Sequence, residues 1–277
     1  MNKIRIGVIP AAGKGGRISP LSKILPKPMI PVLDQPILEF VIKRMVYEFG
    51  IEEVYLIVGH MSDVIKNYFK DGKEIGIKIK YVYQNDPKGI AQAIGLTEKY
   101  IKEPFMVMLG DDFTIGSTKE LMNTFFKKNA YVVEAMINEE DKTTLKRTCC
   151  ARINNEKKIE EIIEKPKNPI SNIRGCGIYI FDPIVFDYLK KMPASAEEKG
   201  ITEIIREISK DGKAYGELLK GVNVNINTKE DLFLANLILA HILEKEKKID
   251  MEKIKRFLER KYNENNNSFF KKMGIIK

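Results

Sequence analysis

Through its first half the chain alternates short apolar runs with segments whose apolar positions recur every three or four residues. Residues 4–10, 54–58, 77–83 and 105–109 are dense in β-branched and other apolar side chains, a composition that suits buried strands. Residues 37–49, 62–69 and 91–100 carry helical spacing instead, with the apolar side chains on one face. Strand and helix in alternation predict an α/β fold: a Rossmann-like, mostly parallel sheet flanked by helices. From about residue 131 the pattern changes to shorter strands at 131–137, 150–153, 159–163 and 177–181, read as a smaller β lobe. A strand at 222–226 then precedes a helix from Lys229 through Leu243, and 244–277 reads as a charged helical tail.

In sheets of this kind ligands gather at the carboxyl ends of the strands, and two such ends carry chemistry here. After the first strand comes Ala11-Ala12-Gly13-Lys14-Gly15-Gly16-Arg17, then Leu25-Pro26-Lys27-Pro28-Met29. Small residues leave backbone N–H groups open to phosphate oxygens, and Arg17 and Lys27 supply the positive charge a polyphosphate needs. Two commoner glycine loops do not fit. A Walker A loop has Gly-Lys followed by Ser or Thr, whereas Gly13-Lys14 is followed by Gly15. A dinucleotide fingerprint counted from Gly15 requires glycine where Ile18 stands.

The second strand end, Gly110-Asp111-Asp112, follows the apolar run 105–109. A carboxylate there is a good oxygen ligand for Mg²⁺, which takes a few protein oxygens plus substrate phosphates. Read alone, the pair has an ordinary strand-ending Asx turn as its lesser alternative. The amide of Asn225, in Val224-Asn225-Ile226-Asn227-Thr228, offers a further oxygen. The alternative there is a polar strand end with Thr228 capping the next helix.

These segments, taken in order, resemble the sugar-1-phosphate nucleotidyltransferases, the pyrophosphorylases that make nucleotide sugars. The resemblance rests on residues 11–20, on Pro26-Lys27-Pro28-Met29-Ile30-Pro31-Val32, on Gln35-Pro36-Ile37, and on the later Glu164-Lys165-Pro166. It implies a nucleotide-diphospho-sugar transferase type of fold, with the β lobe on the sugar side. It implies one domain at 1–243, its nucleotide-binding half at about 1–130 and its sugar-binding half at about 131–228. The residues matching the family's nucleotide site are Ala11, Ala12, Gly13, Gly15, Arg17, Gln84 and Gly89. Those matching its sugar-phosphate site are Glu164, Lys165 and Gly177, with Gly177 leaving room for the ring. Arg17, Lys27 and Lys165 fall at its catalytic cations, and Asp111 and Asn225 at its Mg²⁺ ligands. Three substitutions depart from the pattern: Gly16 for Thr, Gln35 for Lys, and Cys150-Ala151 for Tyr-Gly. A fourth is Gly200-Ile201-Thr202-Glu203, where the family begins with an acidic residue.

The activity so implied joins a nucleoside triphosphate to a sugar 1-phosphate, with UTP and glucose 1-phosphate first and dTTP second. Mannose 1-phosphate with GTP stands third. A non-catalytic nucleotide-sugar sensor on the same scaffold is the rival from another class. Composition narrows the remainder. The 277 residues carry a formal charge of +9 with lysines spread among glutamates, a pattern of solvated faces rather than of nucleic-acid binding. Three cysteines and two histidines give neither a disulfide framework nor a zinc spacing. No run reaches the ~18 apolar residues of a membrane span, and a strand rather than a signal peptide opens the chain. The expectation is therefore a cytoplasmic protein with no membrane or nucleic-acid partner, open to homo-oligomerisation. No hexapeptide repeat follows the core, so no appended β-helix is expected.

Overall fold

A computed structural model describes residues 3–256 apart from Lys14, Pro87, 193–199 and Lys255. Most of the expected charged tail, including the asparagine run at 263–267, lies outside the described residues. Two compact units are formed, one ending at Leu232 and the other beginning at Phe233.

The first unit is built on strands β1 (Ile6–Pro10), β2 (Pro31–Val32), β3 (Gln35–Pro36), β4 (Glu53–Val58), β5 (Lys78–Tyr83) and β6 (Phe105–Met108). Helices α1 (Ile37–Phe49), α2 (Ser62–Phe69) and α3 (Ile90–Gly95) join them, while β2 and β3 form a small hairpin of their own. The main strands run parallel in the order β6, β1, β4, β5. Period two is visible in their packing. Val54, Leu56 and Val58 face one apolar layer, whereas Tyr55 and Ile57 face the other. Leu38, Val41, Ile42, Met45 and Phe49 of α1 cover the first face, and Ala91, Ala93 and Ile94 of α3 the second. A fully buried side chain of this kind contributes about 1.5–3 kcal/mol. Gly50 stops α1, its N–H bonding Val46 O at 3.0 Å while Ile51 N–H bonds Met45 O.

The second half extends the same sheet. It adds β7 (Asp112–Ser117), α4 (Glu120–Lys128), β8 (Val132–Asn138), α5 (Lys142–Leu145), β9 (Cys149–Ile153), β10 (Ile159–Glu164) and β11 (Ile173–Phe181). Helices α6 (Val185–Lys191) and α7 (Ile201–Lys210), strands β12 (Ala214–Leu218) and β13 (Lys220–Asn225), and α8 (Lys229–Lys245) complete the described elements. β11 lies antiparallel between β6 and β8, and β9 and β10 continue antiparallel at that side. The fold is thus mixed α/β: a parallel portion flanked by helices, extended by shorter antiparallel strands. β7 and β13 form a separate ribbon whose register sets Asn225 opposite Asp112 and Asn223 opposite Thr114. Arg44 of α1 anchors that ribbon by donating to Thr114 O at 2.6 Å and to Gly116 O. No helix of the described residues is long and apolar enough to cross a membrane.

Candidate active site

The chain leaves β1 toward α1 and β4 on one side and returns through α3 to β6 on the other, so the order reverses at β1. A crevice opens there at the carboxyl ends of β1 and β6. The two ends are tied directly by Gly110 N–H bonded to Pro10 O at 3.4 Å, and Ala11 N–H bonds Ile57 O of β4 at 2.8 Å on the other side of β1. The resulting cleft has a volume of about 490 Å³. Ala11, Ala12, Gly13, Gly15, Arg17, Lys27, Gln84, Gly89 and Asp111 all line it. The parallel strand order gathers the stretches from Ala11 to Asp111 here.

Each part has a local cause. Ala11 and Ala12 are buried, continuing the line of β1, while Gly13 and Gly16 would put a Cβ into open space. Gly15 has φ +63°, and a Cβ there would meet Lys27 Cβ at 2.7 Å. Glycine therefore lets the loop double back against Lys27. Arg17 is exposed at the rim and forms no ion pair among the described residues. Lys27 is 7% exposed. Its Nζ donates to Asp111 Oδ2 at 2.5 Å and to Asn227 Oδ1 at 2.8 Å.

Asn227 also lines the cleft and was not singled out in the sequence. It sits just beyond β13, where Asp231 Oδ2 accepts the backbone N–H groups of Asn227 and Thr228 at 2.9 and 2.8 Å. Thr228 Oγ1 accepts the Asp231 N–H in return, a reciprocal cap at the start of α8. Asn225 stands one step back from the cleft, its Oδ1 accepting from Asn227 Nδ2. A signal for Asn227 was present in the sequence, since it lies two residues before a helix start, but the lysine partner 200 positions away was not legible.

Asp112 turns inward where Asp111 turns to the cleft. It is 5% exposed, and burial, followed by the neighbouring Asp111 charge, pushes its carboxyl above the ordinary range. Its Oδ2 has no hydrogen-bond partner among the described residues. Gly177, expected to leave room for a sugar ring, instead has φ +67°, and a Cβ there would lie 2.0 Å from Asp112 Oδ2. The space it leaves is filled by that carboxylate. Gly177→Ala is expected to destabilise the fold by about 2–4 kcal/mol, through left-handed strain plus the clash. Thermal unfolding of the variant beside the parent protein checks this.

Glu164 and Lys165 end β10 and do not line the cleft of the nucleotide loop. Glu164 Oε2 accepts from Thr202 Oγ1 at 2.7 Å, a partner unseen in the sequence. Lys165 takes φ +46° and keeps a half-exposed side chain 3.5 Å from Glu164 Oε1. The departure at Gly200 also has a physical basis: a Cβ there would meet Glu203 Oε2 at 2.2 Å, so the Glu203 carboxylate occupies that space.

The Asp111 carboxylate and the Asn227 amide oxygen beside Lys27, with the Asn225 amide oxygen next to Asn227, are the kind of donors that could hold a hard divalent cation. No group of three or more His, Cys, Asp or Glu side chains gathers as a metal cage among the described residues. Few protein oxygens are what Mg²⁺ takes, the rest of its shell being water and phosphate.

Comparison with known proteins places this geometry. Bifunctional protein GlmU from Methanococcus aeolicus is 34% identical over 237 residues, covering 85% of this chain and 54% of that protein. The low-salt glycan biosynthesis nucleotidyltransferase Agl11 from Haloferax volcanii is 29% identical over 237 residues, covering 84% of this chain and 65% of that protein. The chain thus spans between about half and two thirds of these curated relatives. Among solved structures, a putative glucose-1-phosphate thymidylyltransferase from Bacillus anthracis, in complex with sucrose, superposes with a TM-score of 0.77 at 30% identity. That match covers 84% of this chain and 94% of the other. A UDP-glucose pyrophosphorylase complexed with UDP-glucose gives 0.77 at 26% identity, covering 86% and 99%. The family described as nucleotidyl transferase matches residues 6–241, the whole span that builds the cleft, and the chain belongs to that family.

Proposed function

We propose that the chain is a sugar-1-phosphate nucleotidyltransferase, with UTP and glucose 1-phosphate as its first pair and dTTP as the alternative nucleotide. The observation that carries this reading is the single cleft joining open backbone, two cations, a buried amide and a carboxylate. Two of the structural neighbours bear names that act on this chemistry, one for thymidylyl and one for UDP-glucose. Their difference is the reason for keeping both nucleotides.

In the proposed reaction an oxygen of the sugar phosphate attacks the α-phosphorus in line, and the bond to the β-phosphate breaks as pyrophosphate leaves. A phosphate monoester is largely ionised near neutral pH, so no general base is needed. Rate enhancement rests on positioning and charge neutralisation. Backbone N–H groups of Ala11, Ala12, Gly13 and Gly15 cradle the triphosphate, and Gln84 and Gly89 hold the base. Arg17 neutralises the leaving pyrophosphate. Lys27 turns from Asp111 to the reacting phosphates, while Lys165 holds the sugar phosphate and Glu164 accepts from sugar hydroxyls. Asp111 and Asn225 would hold Mg²⁺, which supplies further charge neutralisation at the phosphates. On this reading the domain carrying the chemistry would be 1–243, with the nucleotide half at about 1–130, the sugar half at about 131–228, and 244–277 as a charged helical tail.

The second reading is a nucleotide-sugar sensor without turnover. It is favoured by Asn225, whose side-chain oxygen is already engaged by Asn227. Incubation with Mg²⁺, each of UTP, dTTP, GTP, ATP and CTP, and a panel of sugar 1-phosphates separates the two. Pyrophosphate release that requires both substrates is the expected result. Bound nucleotide with no release from any pair would favour the sensor.

A further inference from the structure

Gln84 lies at the end of β5, 6% exposed, with one edge toward the cleft. Its Nε2 donates to Gly89 O at 3.3 Å and to Gln92 Oε1 at 2.5 Å. Oxygen and nitrogen of an amide look alike in shape, but their partners do not. A backbone carbonyl only accepts, so the atom facing Gly89 O is the NH₂ group. Both of its hydrogens are then engaged, one by Gly89 and one by Gln92. The Gln84 oxygen accepts no hydrogen bond among the described residues, and the cleft is where it is left to act.

We propose that Gln92 is a positioning residue for base selection: by accepting from Gln84 Nε2 it fixes the Gln84 oxygen toward the cleft. This rests on the nucleotide reading of that cleft and narrows it to a substrate class. An outward oxygen accepts from a base whose pairing edge carries a ring N–H, as uracil, thymine and guanine do. Cytosine and adenine present a bare ring nitrogen at that place, and two acceptors facing each other repel. An unpaired buried polar group discriminates strongly in such cases. Gln92 itself is partly exposed on the first turns of α3, and it acts only through Gln84. Without its acceptor, Gln84 keeps only the longer contact to Gly89, which holds its amide less firmly.

The test compares the intact chain with Gln92→Leu and Gln92→Glu, measuring binding of UTP, dTTP and CTP by calorimetry and kcat/KM for each. The intact protein is expected to favour UTP and dTTP over CTP by at least about 30-fold. Gln92→Leu is expected to lower that ratio at least fivefold, chiefly by improving CTP relative to UTP. Gln92→Glu, which keeps an acceptor, is expected to restore the ratio. A merely structural role would weaken all three nucleotides together and leave the ratio unchanged, which would overturn the proposal. An unaltered UTP preference in Gln92→Leu with full nucleotide binding overturns it alone. Failure of the intact protein to bind any triphosphate overturns it together with the nucleotide reading.

Discussion

Asp111→Ala is expected to lower kcat/KM for pyrophosphate release by about 10³-fold, the effect of losing several kcal/mol of metal-assisted charge stabilisation. Asp111 lies in the turn after the apolar strand β6 and presents its carboxylate to Lys27 and to the cleft, so its loss removes charge where the phosphates would lie. The same change also leaves Lys27 with Asn227 as its remaining partner, which weakens the fold. Asp111→Asn separates these contributions. It keeps an oxygen for Lys27 while discarding the charge, so the unfolding midpoint should stay near that of the parent protein and the rate should still fall steeply. Steady-state kinetics as a function of Mg²⁺, with EDTA-treated parent protein as reference, provides the measurement. A loss of only a few-fold in both variants would remove Asp111 from the metal role.

Replacing Glu134 with glutamine is expected to raise the unfolding midpoint by about 5–10 °C at pH 8.5, and by little at pH 5. Glu134 lies on β8 with no exposed surface, and burial pushes its carboxyl up to about 8 from an ordinary 4.5. Its Oε1 meets the Cys149 thiol at 3.6 Å, while Oε2 has no partner among the described residues. Between the unfolded and folded values the folded protein holds a proton that the unfolded chain has released. Stability therefore falls as pH rises through that window, by up to about 1.4 kcal/mol per pH unit. Glutamine keeps the shape and one acceptor and never ionises. Thermal melts of both proteins from pH 4.5 to 9 should therefore diverge with rising pH. Parallel curves would show that folding leaves the Glu134 carboxyl at its ordinary pKa.

The sequence makes an amphipathic element legible and a borrowed one obscure. α1 and α2 fall on the segments 37–49 and 62–69 read from spacing alone, because their apolar faces and the cap at Gly50 are local properties. The helix read at 91–100 ends at Gly95 instead. There Thr97, Glu98 and Tyr100 close successive three-residue turns, while the buried positions that mimicked helical spacing persist. β7 and β12 were not read as strands. Their residues alternate weakly, and their hydrogen bonds come from β13 and β8 respectively. The cleft residues from Ala11 to Asp111 were legible because each loop's chemistry is written in consecutive residue types. Asn227, Gln92 and Thr202 were not, since each matters through a partner that only the folded register supplies. The need for glycine at 177 beside the Asp112 carboxylate was likewise not legible, since only the fold shows where that carboxylate turns.

The ribbon of β7 and β13 also dictates when the site exists during synthesis. Lys27 and Asn227 are 200 residues apart, and ribosomes add roughly 5–20 residues per second. The nucleotide loop therefore emerges about 10–40 s before the asparagine that completes its lysine's surroundings. Until β13 docks, Asp112 has no opposite strand, and Asp111 and Lys27 have only each other. A chain halted before Lys220 would lack both the ribbon and Asn227, so the surroundings of Lys27 are completed late in synthesis.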